Sequence, residues 1–148
     1  TIARFTALAV LMPVVAGQAG NTGAQALAVT SRGLALREIR VAHWWRVCRK
    51  EMLGSFVNGA SVAVVTSICT LLWSHNVGLS TVIGVSMVGS MVIAAIAGAS
   101  VPIVLTALKR DPATASSIIL TTVTDVSGFF SFLGLATLLS SFLAAGPH

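Results

Sequence analysis

Long uncharged stretches make up most of the chain and are separated by short basic clusters. Charged residues are absent from 5–31 and from 52–108, and Asp125 is the one charged residue in 112–148. A spanning helix needs about 20 predominantly apolar residues, so the middle stretch is long enough for two crossings with a turn at 74–80. The pattern predicts an all-α integral membrane protein, a bundle of four spanning helices at 3–33, 51–74, 79–108 and 112–144.

Composition supports this membrane location. Of the 148 residues, 55% are hydrophobic and only 9% are charged, and the mean hydropathy is +0.93. These values differ strongly from those of soluble domains. The formal net charge of +5 could indicate nucleic acid, but the basic residues cluster beside the predicted spans. We therefore expect the lipid bilayer, and no nucleic acid, as the surroundings of these charges.

Two basic loops predict the orientation. They lie between the first and second spans and between the third and fourth, and they contain Arg32, Arg37, Arg40, Arg46, Arg49, Lys50, Lys109 and Arg110. By the positive-inside rule these loops are cytoplasmic, which predicts a multi-pass protein of the cell (inner) membrane with its C-terminus outside. The linker at 34–50 is amphipathic, with Trp44 and Trp45 placed as interfacial aromatic residues usually are. We expect it to lie on the membrane surface and to contact anionic lipid.

Asp125 is the chain's one deeply embedded carboxylate. Counted from Pro112 at about 1.5 Å per residue, it lies roughly 20 Å along the last helix, within a hydrocarbon layer about 30 Å thick. An ionised carboxylate facing lipid there would cost at least ~2.5 kcal/mol, so such residues usually face a bundle interior or a water path. Asp125 is therefore the primary candidate for binding a cation.

Polar residues lead from one membrane face to this acid along one side of the helix. At about 100° per residue, the polar stripe consists of Thr114, Ser117, Thr121, Thr124, Asp125 and Gly128. Phe132 and Leu135 continue it as apolar residues. An alternative is that the hydroxyl groups only donate to carbonyls one turn back, as is common in buried helices. A whole stripe that ends at an acid favours a pore lining.

The first span carries a second polar face. Its members are Gly17, Asn21, Gln25 and Ala28, so two amide side chains are framed by small residues. A helix–helix contact is one interpretation, and a pore lining opposite Asp125 is the other. Pro13 and the glycines that follow it predict a kink or local unwinding near mid-membrane.

Small residues recur every four positions in the third span, at Ser86, Ser90, Ala94 and Gly98. We interpret them as a packing face, since they allow neighbouring backbones to approach closely. Catalysis is not indicated: the histidines lack zinc spacing, and a single intramembrane acid forms no dyad within one chain. We expect no enzyme activity and no organic cofactor.

Two motifs carry a resemblance to a known family. They are PVVAGQAGNTGAQ at 13–25 and TTVTDVSG at 121–128, accompanied by Lys50-Glu51, Asn58-Gly59 and KRDPA at 109–113. Together they resemble the transmembrane domain of the MgtE magnesium transporter family, related to two-repeat eukaryotic solute carriers for divalent cations. The resemblance covers nearly the whole chain.

The resemblance implies a homodimeric Mg²⁺ pathway between two five-helix protomers, with the last-helix acid of each subunit at a central ion site. By position it implies that Asp125 binds the metal and that the pore is lined by Gly17, Asn21, Ser117 and Thr121. The two polar helix faces add Gln25, Thr124 and Gly128 as further pore-lining candidates. The family's first transmembrane helix and its cytosolic sensor domains have no counterpart in these residues. The chain does not begin with Met, so we expect it to be part of a longer protein.

We therefore expect a divalent-cation (Mg²⁺) transporter or channel with its ion pathway at a homodimer interface. Mg²⁺ is a hard ion that is usually held by one or two carboxylates while it keeps several waters. A carrier or exchanger for Mn²⁺ or Co²⁺, coupled to Na⁺ or H⁺, is one alternative, because an all-oxygen lining does not exclude those ions. A non-transporting membrane assembly subunit, whose polar faces bind partner helices, is another.

Overall fold

The structure, a computed structural model, describes residues 6–139, which form four long helices and no strand. They are α1 (Thr6–Ala35), α2 (Trp44–Ser74), α3 (Val77–Ala107) and α4 (Pro112–Leu138), with a 3-10 turn at Val41–His43 directly before α2. The predicted all-α class is confirmed for this part of the chain. The outer ends of the first and last predicted spans lie outside the described residues.

Three of these four helices are long and apolar enough to cross a membrane. The qualifying segments are Val41–Ser74, Val77–Ala107 and Ser116–Leu138, and they make the chain an integral membrane protein. Helix α1 has 30 residues, or about 45 Å at 1.5 Å per residue. It carries the amides Gln18, Asn21 and Gln25 and is not among the three qualifying segments, so its crossing stays a prediction.

Two features of the helices differ from the sequence-based expectation. Helix α2 begins at Trp44, so the second half of the predicted linker forms its first turns, since 44–50 contains neither Gly nor Pro to end a helix. Helix α1 runs unbroken from Thr6 to Ala35. Of the kink or local unwinding predicted after Pro13, the unwinding does not occur, because a proline removes only one internal hydrogen bond and α3 and α4 pack along this helix.

Helix α3 lies at the centre of the bundle. Helices α1, α2 and α4 all pack against it, and α1 also packs against α4, whereas α1 and α2 hardly touch. Helix α2 therefore lies on the far side of α3 from the α1–α4 pair. This arrangement leaves one side of the α1–α4 pair open.

Small residues form a buried packing face on α3, as the spacing in the third span predicts. Ser86, Ser90, Ala94 and Gly98 are all buried. A Cβ placed on Gly98 would collide with the backbone carbonyl of Gly23 on α1, and a Cβ on Gly23 would lie 3.2 Å from the carbonyl oxygen of Ala94. The two helices therefore cross at a close contact that requires glycine at position 98 and leaves little room for a side chain at position 23.

Two serines join α2 to α3 near their shared turn. The hydroxyl of Ser67 donates to the backbone oxygen of Ser80 at 3.0 Å. In return, the hydroxyl of Ser80 donates to the backbone oxygen of Ser67 at 2.7 Å. Gly84 leaves room for this pair, since a Cβ there would press on the Ser67 hydroxyl. Both hydrogen bonds run between helices, so they fix how α2 sits on α3.

We expect Ser67→Ala to lower the free energy of unfolding by about 0.5–1.5 kcal/mol, because interhelical hydrogen bonds in membranes contribute about that much. Denaturant titration in mixed micelles measures the loss. Ser61→Ala is the matched control, since that exposed hydroxyl donates to Val57 of its own helix at 3.0 Å. Equal losses in the two variants would contradict a role for the interhelical bond.

Candidate functional site

An open groove of about 490 Å³ lies between α1 and α4. The α1 side is formed mainly by small residues, and the α4 side carries the polar groups. The lining consists of Met12, Pro13, Ala16, Gly17, Gly20, Ala24 and Leu27 from α1 and Ser117, Leu120, Thr121, Thr124, Asp125 and Phe129 from α4. Among these residues Asp125 alone is charged. The groove is thus an oxygen-bearing surface with a single negative charge.

Asp125 is the middle residue of α4, which runs for 27 residues from Pro112 to Leu138. Its side chain is exposed in the single chain. Within residues 6–139, neither a hydrogen bond nor an ion pair satisfies its carboxylate. Because a charge at this depth is costly when it faces lipid, the carboxylate needs a cation, water or a second protein surface beside it.

The hydroxyl groups near Asp125 donate to their own helix. Thr121 Oγ1 donates to the Ser117 carbonyl at 2.9 Å, and Thr124 Oγ1 donates to the Thr121 carbonyl at 3.0 Å. The alternative weighed from the sequence, bonding to a carbonyl about one turn back, is therefore correct for both. Since each hydroxyl proton is already used, the oxygen retains only acceptor capacity. Thr121 is exposed and Thr124 is buried, so Thr121 is the more accessible acceptor.

The structure brings five of the predicted site residues to this groove: Gly17, Ser117, Thr121, Thr124 and Asp125. Asn21 and Gln25 are exposed but lie outside its lining, about 40° and 80° further around α1 than Gly17. Gly128 is buried, and a Cβ there would lie 3.1 Å from the Cα of Ala16. It serves the contact between α1 and α4 rather than the groove. The side chain of Thr114 is outside the described part of the chain.

Sequence reasoning placed Gly17 in the pathway but missed the rest of the α1 wall of the groove, because it looked for polar side chains. Gly20 and Ala24 line it together with Gly17. Their spacing of three and four residues places them on one face of the helix, and this spacing was the available signal. A Cβ on Gly17 or Gly20 would meet nothing within 4 Å, so these glycines border open space.

Most of the chain matches a known protein family. The family model for MgtE, described as a divalent cation transporter, matches residues 12–135, which contain the whole groove. The chain is also similar to proteins named "Magnesium transporter MgtE" from three bacteria. The Bacillus subtilis protein is 37% identical over 134 residues, 90% of this chain and 30% of that protein.

Two further relatives show similar coverage. The Enterococcus faecalis protein is 32% identical over 137 residues, 93% of this chain and 30% of that protein. The Thermus thermophilus protein is 36% identical over 134 residues, 90% of this chain and 30% of that protein. The chain thus spans less than a third of the length of these relatives. Since the family model covers most of its residues, the chain belongs to the MgtE family of divalent cation transporters.

Proposed function

We propose that this chain forms the membrane pathway of a divalent-cation transporter or channel and that Mg²⁺ is the transported ion. The observation that carries the proposal is the exposed carboxylate of Asp125, which lies halfway along α4 and has no hydrogen-bond or ion-pair partner in the described part of the chain. The names of the three relatives support Mg²⁺ as the ion.

The groove chemistry suits a hydrated cation. Mg²⁺ dehydrates reluctantly and keeps several waters, whose protons point outward. Those protons need acceptors, and the carboxylate of Asp125 and the hydroxyl oxygen of Thr121 supply them. Six waters at about 30 Å³ each fill roughly 180 Å³, so a hydrated ion fits within the 490 Å³ of the groove.

A second copy of the chain would complete this site. The groove is open on the side where Asp125 is exposed, so in a single chain the carboxylate would face lipid. Two copies that meet on this side would enclose the groove and place two carboxylates near the dimer axis, with Asn21 and Gln25 at the border of the pathway. We therefore propose a homodimer, with the basic loops in the cytoplasm and the C-terminus outside.

Ion uptake into liposomes tests this function directly. We expect the purified chain to admit Mg²⁺ down its concentration gradient, as reported by an enclosed magnesium-sensitive dye. Two further measurements distinguish a Mg²⁺ pathway from a coupled carrier for other ions. They are competition by Mn²⁺ or Co²⁺, and uptake under an imposed Na⁺ or pH gradient. Folded dimers that stay impermeable to every divalent ion would overturn the proposal and favour an assembly subunit.

A further inference from the structure

A second pocket lies at the basic end of the bundle, away from the Asp125 groove. It has a volume of about 390 Å³ and is lined by Leu34, Arg37, Ile39, Arg40, Val41 and Thr106. The connection from α1 to α2 supplies most of these residues, and Thr106 comes from the last turn of α3. The pocket therefore forms where this connection folds back against the end of α3.

The backbone of the connection is held in place by hydrogen bonds. Arg37 adopts the left-handed conformation with φ 58°, a helix-ending position at which glycine is usual. The N–H groups of Glu38 and Ile39 both donate to the Gly33 carbonyl, at 2.9 and 3.0 Å. The Ile39 side chain covers Gly33, where a Cβ would collide with it. The two arginines of the pocket thus project from an ordered turn.

Arg37 and Arg40 bring two positive charges to this pocket. Arg37 and Arg40 are exposed, and no carboxylate among residues 6–139 forms an ion pair with either. Eight of the chain's nine basic residues lie at this end of the bundle. The Thr106 hydroxyl already donates to the Pro102 carbonyl at 2.8 Å. An anionic ligand would therefore be held by the two guanidinium groups.

The remaining walls of the pocket are apolar. Leu34, Ile39 and Val41 line it and are only partly buried, so they offer contact to a hydrocarbon stem. Trp44 and Trp45, which follow within one turn, are 51% and 61% exposed, as is typical of residues at the membrane–water interface. A ligand that combines a negative headgroup with an apolar stem matches both parts of the pocket.

We propose that this pocket binds the headgroup of an anionic phospholipid, with the phosphate at Arg37 and Arg40 and the glycerol and upper acyl chain against Leu34, Ile39 and Val41. Basic pockets between spanning helices are suited to such headgroups. A free phosphate would use the arginines alone and leave the apolar walls uncovered. The proposal does not depend on ion transport, since it concerns a different surface.

Native mass spectrometry of the purified chain tests this proposal with three probes: phosphatidylglycerol, phosphatidylcholine and glycerol 3-phosphate. We expect phosphatidylglycerol to bind more tightly than either of the others. The double variant Arg37→Gly with Arg40→Gln should bind it about 25-fold more weakly, because each arginine that contacts the lipid phosphate contributes about fivefold. Glycine suits the left-handed φ of position 37, so the variant should keep the turn.

Arg46→Gln with Arg49→Gln is the matched control. It removes the same charge from exposed positions of α2 outside the pocket, and we expect less than about threefold weakening because separated exposed charges are screened. Arg40→Gln alone should lose about fivefold and serves as the second test if the double variant does not fold. Equal weakening in both pairs, or displacement of the lipid by equimolar glycerol 3-phosphate, would overturn the lipid assignment.

Discussion

Asp125→Asn is expected to reduce Mg²⁺ flux at least about 100-fold while the protein stays folded. At about 4 Å and an effective dielectric constant of 20, a dication and one carboxylate attract each other by roughly 8 kcal/mol. If only about 3 kcal/mol of this remains after desolvation, its loss corresponds to about 100-fold. Initial rates of Mg²⁺ uptake into liposomes give the comparison with the original chain.

Asp111→Asn is the matched control for that experiment. It makes the same chemical change at the residue before α4, where Asn caps a helix as well as Asp does. We expect its flux to stay within about twofold. Asp125→Asn should also unfold no more easily than the original chain, since a neutral amide is less costly at membrane depth than a carboxylate. Undiminished flux through Asp125→Asn would show that Asp125 is not part of the pathway. If the variant no longer formed dimers but kept its permeability, an assembly role would be favoured.

Gly98→Ala is expected to lower the free energy of unfolding by about 1–3 kcal/mol, the usual cost of overfilling a packed interior. The new methyl group would collide with the backbone carbonyl of Gly23, and backbone cannot move aside as a flexible side chain can. Helices α1 and α3 would have to separate. Thermal unfolding in detergent, followed by circular dichroism, measures the change.

Gly89→Ala on the same helix provides the control. A Cβ at that position would meet nothing within 4 Å, so the substitution should stabilise the protein by up to about 1 kcal/mol through helix propensity. The two variants are therefore expected to shift the unfolding temperature in opposite directions. A similar shift in both would contradict the close contact between Gly98 and Gly23.

The sequence alone determined the helical membrane class, the packing face of α3 and the singular position of Asp125. Each follows from local chemistry: uncharged stretches of sufficient length cannot stay in water, small residues at a spacing of four share one helix face, and a lone acid at bilayer depth needs an explanation. The start of α2 at Trp44 was also within reach, because 44–50 contains no helix breaker.

Only the tertiary structure decided which faces meet. The 3.6-residue period shows that Gly17, Asn21 and Gln25 lie near one another on α1, but not how that helix is rotated against α4. The contact between Gly128 and Ala16 sets this rotation, which puts Gly17 in the groove and leaves both amides outside it. The sequence also did not show that Arg37 and Arg40 share a pocket, because that pocket exists only once a left-handed turn folds the connection back onto α3. Periodicity records neighbours along one helix, whereas a site between helices depends on contacts between residues far apart in the chain.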